Sequence, residues 1–153
     1  RNVSNVDHIT GRFNDTLESM KLIVCNELSS AESNKSLNSD ALKTLITENT
    51  IRIEQKGIPA RTAENLCNFI FLSNHFDPIR ISQDDRRYVM TEVSARRAGN
   101  TDYFKALFAS FKQPSFYDEL YTFFMKRDIS EYMPNIIPMT AAKKEIKELA
   151  KSP

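Results

Sequence analysis

Two short apolar runs constrain the fold of this chain more than any other feature. The first is Met20–Cys25 and the second is Leu66–Leu72, and polar residues follow each run. Runs of this length, partly β-branched or aromatic, predict strands buried on both faces. About forty residues separate them, far more than a hairpin loop needs, so we expect the two strands to lie parallel in one sheet. The sequence therefore predicts an α/β fold.

Periodicity and turn residues predict the other elements. Nothing in the first nineteen residues indicates a core strand, and from about residue 100 the pattern becomes helical. Ser115 and Asp118 have capping-box spacing for one of the later helices. The predicted elements are a helix from Ser39 on Leu42, Leu45 and Ile46, a strand at Ile51–Gln55 followed by a hairpin or loop at Gly57, a third strand at Tyr88–Val93, and helices over Phe104–Phe111, Phe116–Phe124 and from Thr140.

Composition excludes several classes of protein. The 153 residues are 41% hydrophobic, enough for one domain with a core, and carry a net charge of +1. Overall charge thus indicates no partner, and any nucleic-acid contact must come from a local patch. Cys25 and Cys67 lack the spacing of a disulfide scaffold or a zinc ribbon, which predicts free thiols in a reducing compartment. No apolar run is long enough for a membrane span, and the polar start does not resemble a signal peptide.

Polar side chains follow both predicted parallel strands. Asn26 and Glu27 come after the first, and Ser73 and Asn74 come after the second. Ligands bind at the carboxyl ends of strands in open parallel sheets, where an acid beside an amide suits a metal-bound phosphate and an attacking water. The alternative is that Glu27 and Asn74 simply begin loops.

The same runs resemble motifs of the superfamily 3 helicases, which include primase-helicases of large DNA viruses, phages and plasmids. Lys21–Glu27 looks like their Walker B strand, and Phe69–Asn74 looks like their motif C. Other segments resemble further regions of these proteins in the same order, namely Gly11–Asn14, Leu42–Thr47, Ile51–Gly57, Phe116–Ile129 and Pro138–Thr140. The resemblance covers nearly the whole chain.

This resemblance implies a partial AAA+-like P-loop NTPase sheet, made of the Walker B strand, a B′ hairpin and the sensor strand. Residues 1–98 would form part of the ATPase core and residues 99–153 a helical subdomain. It also implies a ring, of six subunits in many relatives, that unwinds single-stranded or forked DNA in replication, with a primase domain possible on the same protein. The expected location is the host-cell cytoplasm or a viral replication site.

The resemblance assigns ATP and Mg²⁺ as cofactors and gives roles to five residues. Glu27 would polarise the attacking water near the metal ion, with Asn26 beside it, and Asn74 would be the polar sensor. Arg86 or Arg87 would act as an arginine finger across a subunit boundary. The alternative for the two arginines is an ordinary salt bridge with Asp84 or Asp85.

The segment Lys56–Arg61 would be the tip of a hairpin that lines the pore of the ring and contacts the DNA backbone. The cations in and before it suit phosphate contacts with no sequence preference, and they are Lys43, Arg52, Lys56 and Arg61. The plain alternative is a solvated basic turn. His75 lacks neighbours at ligand spacing other than Asp77, which favours a loop histidine.

Two features depart from the superfamily pattern. No G-x-x-x-x-G-K-[ST] motif occurs, so the phosphate loop would have to be supplied from an upstream segment. Asn26 stands where many relatives carry an acid, which would weaken the hold on magnesium. Two alternatives therefore stay open: a catalytically inactive member that serves as an oligomerisation or DNA-binding module, and an unrelated α/β interaction domain.

Overall fold

The computed structural model describes residues 2–3, 7–26, 39–75, 79, 81–134 and 136–150. The polar residues 29–40 predict a surface loop, of which residues 29–38 lie outside the described residues, as does the catalytic candidate Glu27. In chain order the elements are β1 (Asn2–Val3), α1 (Asp7–Thr10), β2 (Leu22–Cys25), α2 (Ser39–Thr47), β3 (Thr50–Gln55), β4 (Ile58–Glu64), β5 (Asn68–Phe71), α3 (Thr101–Ser110), α4 (Pro114–Met125) and α5 (Ala141–Leu149).

The main sheet has three parallel strands in the order β1-β2-β5. In the β2–β5 ladder, Leu22 pairs with Asn68 and Cys25 with Phe71. This confirms the prediction that the two apolar runs are parallel neighbours in one sheet. The expectation of no strand before residue 20 was wrong, because Asn2–Val3 pairs with β2. A two-residue strand has too short a pattern to be recognised without its partner.

The strands are buried on one face rather than on both, so that part of the prediction was wrong. Ile23 and Cys25 of β2 are buried, whereas Leu22 is exposed. On β5, Phe69 and Phe71 pack against the core and their rings stack, while Ile70 is 46% exposed. Within the described part of the chain, the second face of the sheet has no layer over it.

The face that is buried is covered by α2 and by the β3–β4 hairpin. Leu45 of α2 and both Ile51 and Ile53 of β3 belong to the same hydrophobic cluster as the β2 residues. The strands β3 and β4 are antiparallel, which confirms a hairpin. Its turn places Gly57 at a φ of 79°, a conformation that glycine adopts without steric cost.

Residues 88–93 do not form the predicted third strand. Tyr88 instead anchors this segment in a second hydrophobic cluster, whereas Val93 is 86% exposed. Alternating apolar residues form a strand only where another strand can accept their backbone hydrogen bonds, and this segment has no strand partner among the described residues.

The helices near the C-terminus form at the predicted positions. The helix α3 begins after Asn100, whose side chain accepts from the Tyr103 amide. The predicted capping box at Ser115 was wrong, because α4 already begins at Pro114, a residue favoured in the first turn. Neither α3 nor α4 buries a residue.

The last helix, α5, folds back onto the core. Thr140 caps it by accepting from the Lys143 amide, and Ile146 packs in the second hydrophobic cluster with Leu42 of α2 and Tyr88. The division into residues 1–98 and 99–153 stays a prediction. In the structure, α5 contributes to the same core cluster as residues of the first part.

Removal of the Ile53 side chain tests this core. Ile53 is fully buried between the hairpin and the sheet, so Ile53→Ala should lower the free energy of unfolding by about 2 to 5 kcal/mol. Ile58 on β4 is exposed, and Ile58→Ala should change it by no more than about 0.5 kcal/mol. Urea unfolding of both variants measures the difference, and equal effects would contradict the described packing.

Candidate functional site

The carboxyl ends of β2 and β5 lie side by side. The Asn26 amide donates to the Val3 carbonyl at 3.0 Å, and the Leu72 amide donates to the Cys25 carbonyl at 2.9 Å. These bonds extend both ladders to the ends of the strands. Asn26 is half-buried and Asn74 is exposed. Because β2 and β5 are parallel neighbours, the residues that follow them directly lie at the same end of the sheet. Glu27 follows Asn26 directly, and its catalytic and metal-binding roles stay predictions.

Three other kinds of reactive group have little support at or near this edge: metal ligands, cysteine thiols and His75. Among the described residues, no group of three or more His, Cys, Asp and Glu side chains could hold a metal ion. Both cysteines are free, as predicted, and burial raises the pKa of Cys25 to about 11, so this thiol is protonated at neutral pH. His75 is exposed, and its amide donates to the Ser73 hydroxyl at 2.9 Å.

Arg86 and Arg87 differ sharply in environment. The Arg86 side chain is exposed, whereas Arg87 is half-buried and its Nε has no hydrogen-bond partner among the described residues. Within the same residues neither arginine forms a salt bridge with Asp84 or Asp85, and the Asp85 carboxylate pairs with Lys143. Asp84 is exposed, and its pKa is lowered mainly by a hydrogen bond with the Ser82 side chain and to a lesser extent by nearby cations that include Arg86. Arg86 is thus the arginine that projects into solvent.

A buried polar cluster joins this turn to α5, and sequence reasoning missed it. Lys143 and Asp85 are both almost fully buried and lie 2.8 Å apart. The Lys143 ammonium also donates to the Tyr88 carbonyl at 2.8 Å. Burial, with a smaller contribution from Asp85, raises the pKa of Tyr88 to about 12. The only hint in the sequence was the acidic pair before the arginines, and it does not identify a partner 58 residues away.

Three of the four predicted DNA-binding cations are paired with carboxylates. Lys43 lies 2.8 Å from Asp40 on α2, and Arg52 lies 3.2 Å from Glu54 on β3. Arg61 on β4 forms a two-bond ion pair with Glu18. By contrast, Lys56 is exposed at the hairpin turn and forms no ion pair with any described residue.

The segment before β2 holds β3 close to the hairpin turn. The Asn14 side chain donates to the Arg52 carbonyl at 2.9 Å and accepts from the Glu54 amide at 2.9 Å. Arg12 adds an ion pair with Glu54 at 3.1 Å. The Gly11–Asn14 segment therefore fixes the half of β3 that leads into the turn.

Comparison with known proteins identifies a family that matches the part of this chain that contains its strands. Residues 1–87 match a protein family of unknown function, DUF5906. The chain belongs to this family. The matched region contains β1 to β5 and the turn that carries Arg86. No helix among the described residues is long and apolar enough to cross a membrane.

A phage replication protein is among the similar proteins. The DNA primase-polymerase of Nitratiruptor phage NrS-1 is 36% identical over 89 residues, which are 57% of this chain and 12% of that protein. Two apo structures of the NrS-1 C-terminal region match with TM-scores of 0.68 and 0.69 at 26% identity. Each match covers 99% of this chain and 36% of the solved chain. The chain thus spans only a part of these relatives.

Proposed function

We propose that this chain is the motor segment of a superfamily 3 DNA helicase that couples ATP hydrolysis to DNA unwinding in replication. The observation that carries the proposal is the parallel β2–β5 pair, whose carboxyl ends lie at one edge. Asn26 follows β2 directly, and Asn74 follows Leu72 and Ser73 after the end of β5. Similarity to a phage primase-polymerase supports a replication role. Activity would require a Walker A segment, since these 153 residues lack its motif.

The chemistry is phosphoryl transfer from ATP to water. Glu27 accepts a proton from the water that attacks the γ-phosphate, and Asn74 orients that water. When bound, Mg²⁺ offsets charge on the β- and γ-phosphates, and Asn26 and Glu27 would hold it through water or directly. Arg86 offsets the charge that develops on the phosphoryl group in a neighbouring subunit, because it is the exposed member of the arginine pair.

The free side of β5 is where the missing strand would pair in this proposal. Among the described residues, β5 hydrogen-bonds to β2 on one side and to no strand on the other. Ile70 of β5 and Leu72 directly after it are exposed, so the sheet also has an apolar face that a further segment could cover. A strand that leads into a phosphate loop would add to this side and bring the loop to the edge that carries Asn74.

DNA would contact the turn of the β3–β4 hairpin inside a ring, which we propose to be a hexamer. Lys56 at the turn is exposed and has no carboxylate partner among the described residues, so it can reach a phosphate without breaking an ion pair. Arg61 would have to exchange Glu18 for a phosphate. Lys43 and Arg52 would likewise have to leave Asp40 and Glu54 before they could contact a phosphate. Of the four cations, Lys56 therefore makes the strongest phosphate contact.

Salt dependence tests the DNA contact. The double change Lys56→Ala and Arg61→Ala should weaken single-stranded DNA binding and flatten the salt dependence of log K by about two phosphate contacts. Glu18→Gln is the matched control, because it breaks the Arg61 ion pair while leaving both cations in place. Fluorescence anisotropy across a salt series measures both. An unchanged slope in the double variant would make the hairpin a solvated turn.

A catalytically inactive oligomerisation or DNA-binding module is the second candidate. It is favoured by Asn26, which has no charge with which to hold a metal ion. DNA-stimulated ATP hydrolysis by a polypeptide that joins these residues to a Walker A segment separates the two. Turnover that rises with single-stranded DNA supports the motor, and DNA binding without turnover supports the inactive module.

A further inference from the structure

Polar contacts join α5 to residues 83–90 at regular intervals along the helix. Thr140 donates to the Met90 carbonyl. Lys147 donates to the Gln83 carbonyl at 2.7 Å, and the Gln83 side chain returns a bond to the Lys147 carbonyl at 2.6 Å. Lys143 lies between these two points on the same face of the helix. The helix therefore holds this segment at three levels along its length.

Lys143 makes the central contact. Its ammonium donates to the Tyr88 carbonyl at 2.8 Å and to the Asp85 carbonyl at 3.2 Å, and it forms an ion pair with the Asp85 carboxylate at 2.8 Å. The side chain is 1% exposed and that of Asp85 is 4% exposed. Apolar side chains often replace a buried ion pair without loss of stability, so stability alone does not account for this pair.

The Asp85 carboxylate closes the turn from the other side. It accepts from the Arg87 amide at 3.3 Å and from the Tyr88 amide at 3.2 Å. The Asp85 and Tyr88 carbonyls thus accept hydrogen bonds from Lys143 of α5. The Arg87 and Tyr88 amides, which follow Arg86, donate to the Asp85 carboxylate. The backbone around Arg86 is fixed on both sides while its side chain stays exposed.

We propose that Lys143 is a positioning residue that sets the orientation of Arg86 through the buried Asp85 pair. The proposal rests on the proposed function, in which Arg86 acts on a nucleotide in a neighbouring subunit. Docking of α5 then decides whether Arg86 points at that nucleotide. Lys143 itself touches no substrate.

A double variant that removes both charges of the Lys143–Asp85 pair separates an effect on the orientation of Arg86 from an effect on stability. Lys143→Met keeps the length of the side chain, and Asp85→Asn removes the carboxylate charge while its amide oxygen can still accept from the Arg87 and Tyr88 amides. The double variant therefore keeps an acceptor for these amides but loses the central contact with α5, while the contacts of Thr140 and Lys147 stay in place. Lys144→Met is the matched control, because Lys144 is exposed on the same helix.

The experiment uses a polypeptide that joins these residues to a Walker A segment and measures melting temperature, kcat and KM for ATP. The double variant should melt within a few degrees of the parent and keep KM within about threefold, with kcat at least about tenfold lower. Adding Arg86→Ala to it should cost much less than Arg86→Ala costs in the parent, because the two changes remove the same interaction. Lys144→Met should match the parent.

Other outcomes overturn one proposal or the other. If the double variant keeps its melting temperature and its kcat, or if Arg86→Ala costs as much in it as in the parent, Lys143 is a structural residue only. If the polypeptide without substitutions, joined to its Walker A segment, hydrolyses no ATP, the proposed function fails. Hydrogen exchange then tests the positioning itself: the Arg87 and Tyr88 amides should exchange faster in the double variant and the Val24 and Ile70 amides should not. Unchanged exchange at the turn overturns it.

Discussion

Glu27→Gln should reduce ATP turnover by two or more orders of magnitude while leaving nucleotide binding nearly unchanged. The amide has almost the same shape as the carboxylate, but it cannot accept a proton from the attacking water. Loss of one such positioned group costs about a hundredfold or more in rate. We expect this role because β2 ends at Cys25 beside β5, and Glu27 is two residues further along the sequence.

The measurement compares steady-state ATP turnover with binding of a fluorescent ATP analogue, in a polypeptide that joins these residues to a Walker A segment. Glu92→Gln is the control, because Glu92 is an exposed carboxylate in the irregular segment after Tyr88. It should hydrolyse ATP at the parental rate. Near-parental turnover by Glu27→Gln would make Glu27 a loop residue, and equal losses in both variants would indicate a general effect of lost charge.

Local pattern was enough to predict most elements of this fold. The runs at residues 20–25 and 66–72 gave two strands, and their long connection gave their parallel direction, which the β2–β5 ladder confirms. Gly57 between two strand-like segments gave the hairpin. These predictions depend on neighbours in sequence, on periodicity and on the length of a connection, all of which the sequence contains.

The errors concern contacts between distant residues. Tyr88–Val93 has the composition of a strand, but its hydrogen bonds go elsewhere: Lys143 donates to the Tyr88 carbonyl and Thr140 to the Met90 carbonyl. The local sequence pattern cannot show that a carbonyl accepts a hydrogen bond from a helix in a distant part of the chain. Burial on both faces failed for a similar reason, because exposure of Ile70 depends on which segments cover the sheet.

The candidate site shows the same division. The pairing of the strands could be predicted, and the carboxyl ends of β2 and β5 lie side by side. That Glu27 and Asn74 meet at this edge stays a prediction, because Glu27 lies outside the described residues. Whether a cation is available for a ligand could not be predicted, since Arg61 is paired with a glutamate 43 residues earlier in the chain. The same holds for the arginine pair, where Arg87 is half-buried and Arg86 is exposed although the two are neighbours in sequence.

Arg86→Ala should lower ATP turnover by about a thousandfold or more, in line with the loss of an arginine finger. The exposed Arg86 side chain is free to reach a neighbouring subunit, whereas Arg87 is half-buried with its Nε enclosed. Arg87→Ala should therefore lower the melting temperature more than Arg86→Ala does, and should affect turnover less.

Mixing of subunits shows whether Arg86 acts across a boundary. A subunit with Glu27→Gln keeps its arginine, and a subunit with Arg86→Ala keeps its carboxylate. Each is inactive alone, but a mixed ring contains interfaces where an intact Glu27 faces an intact Arg86. Turnover should thus reappear when the two variants are combined, at a level that follows the fraction of such interfaces. Mixtures that stay as inactive as the separate variants, in rings shown by native mass spectrometry to contain both, would mean that Arg86 does not act in trans.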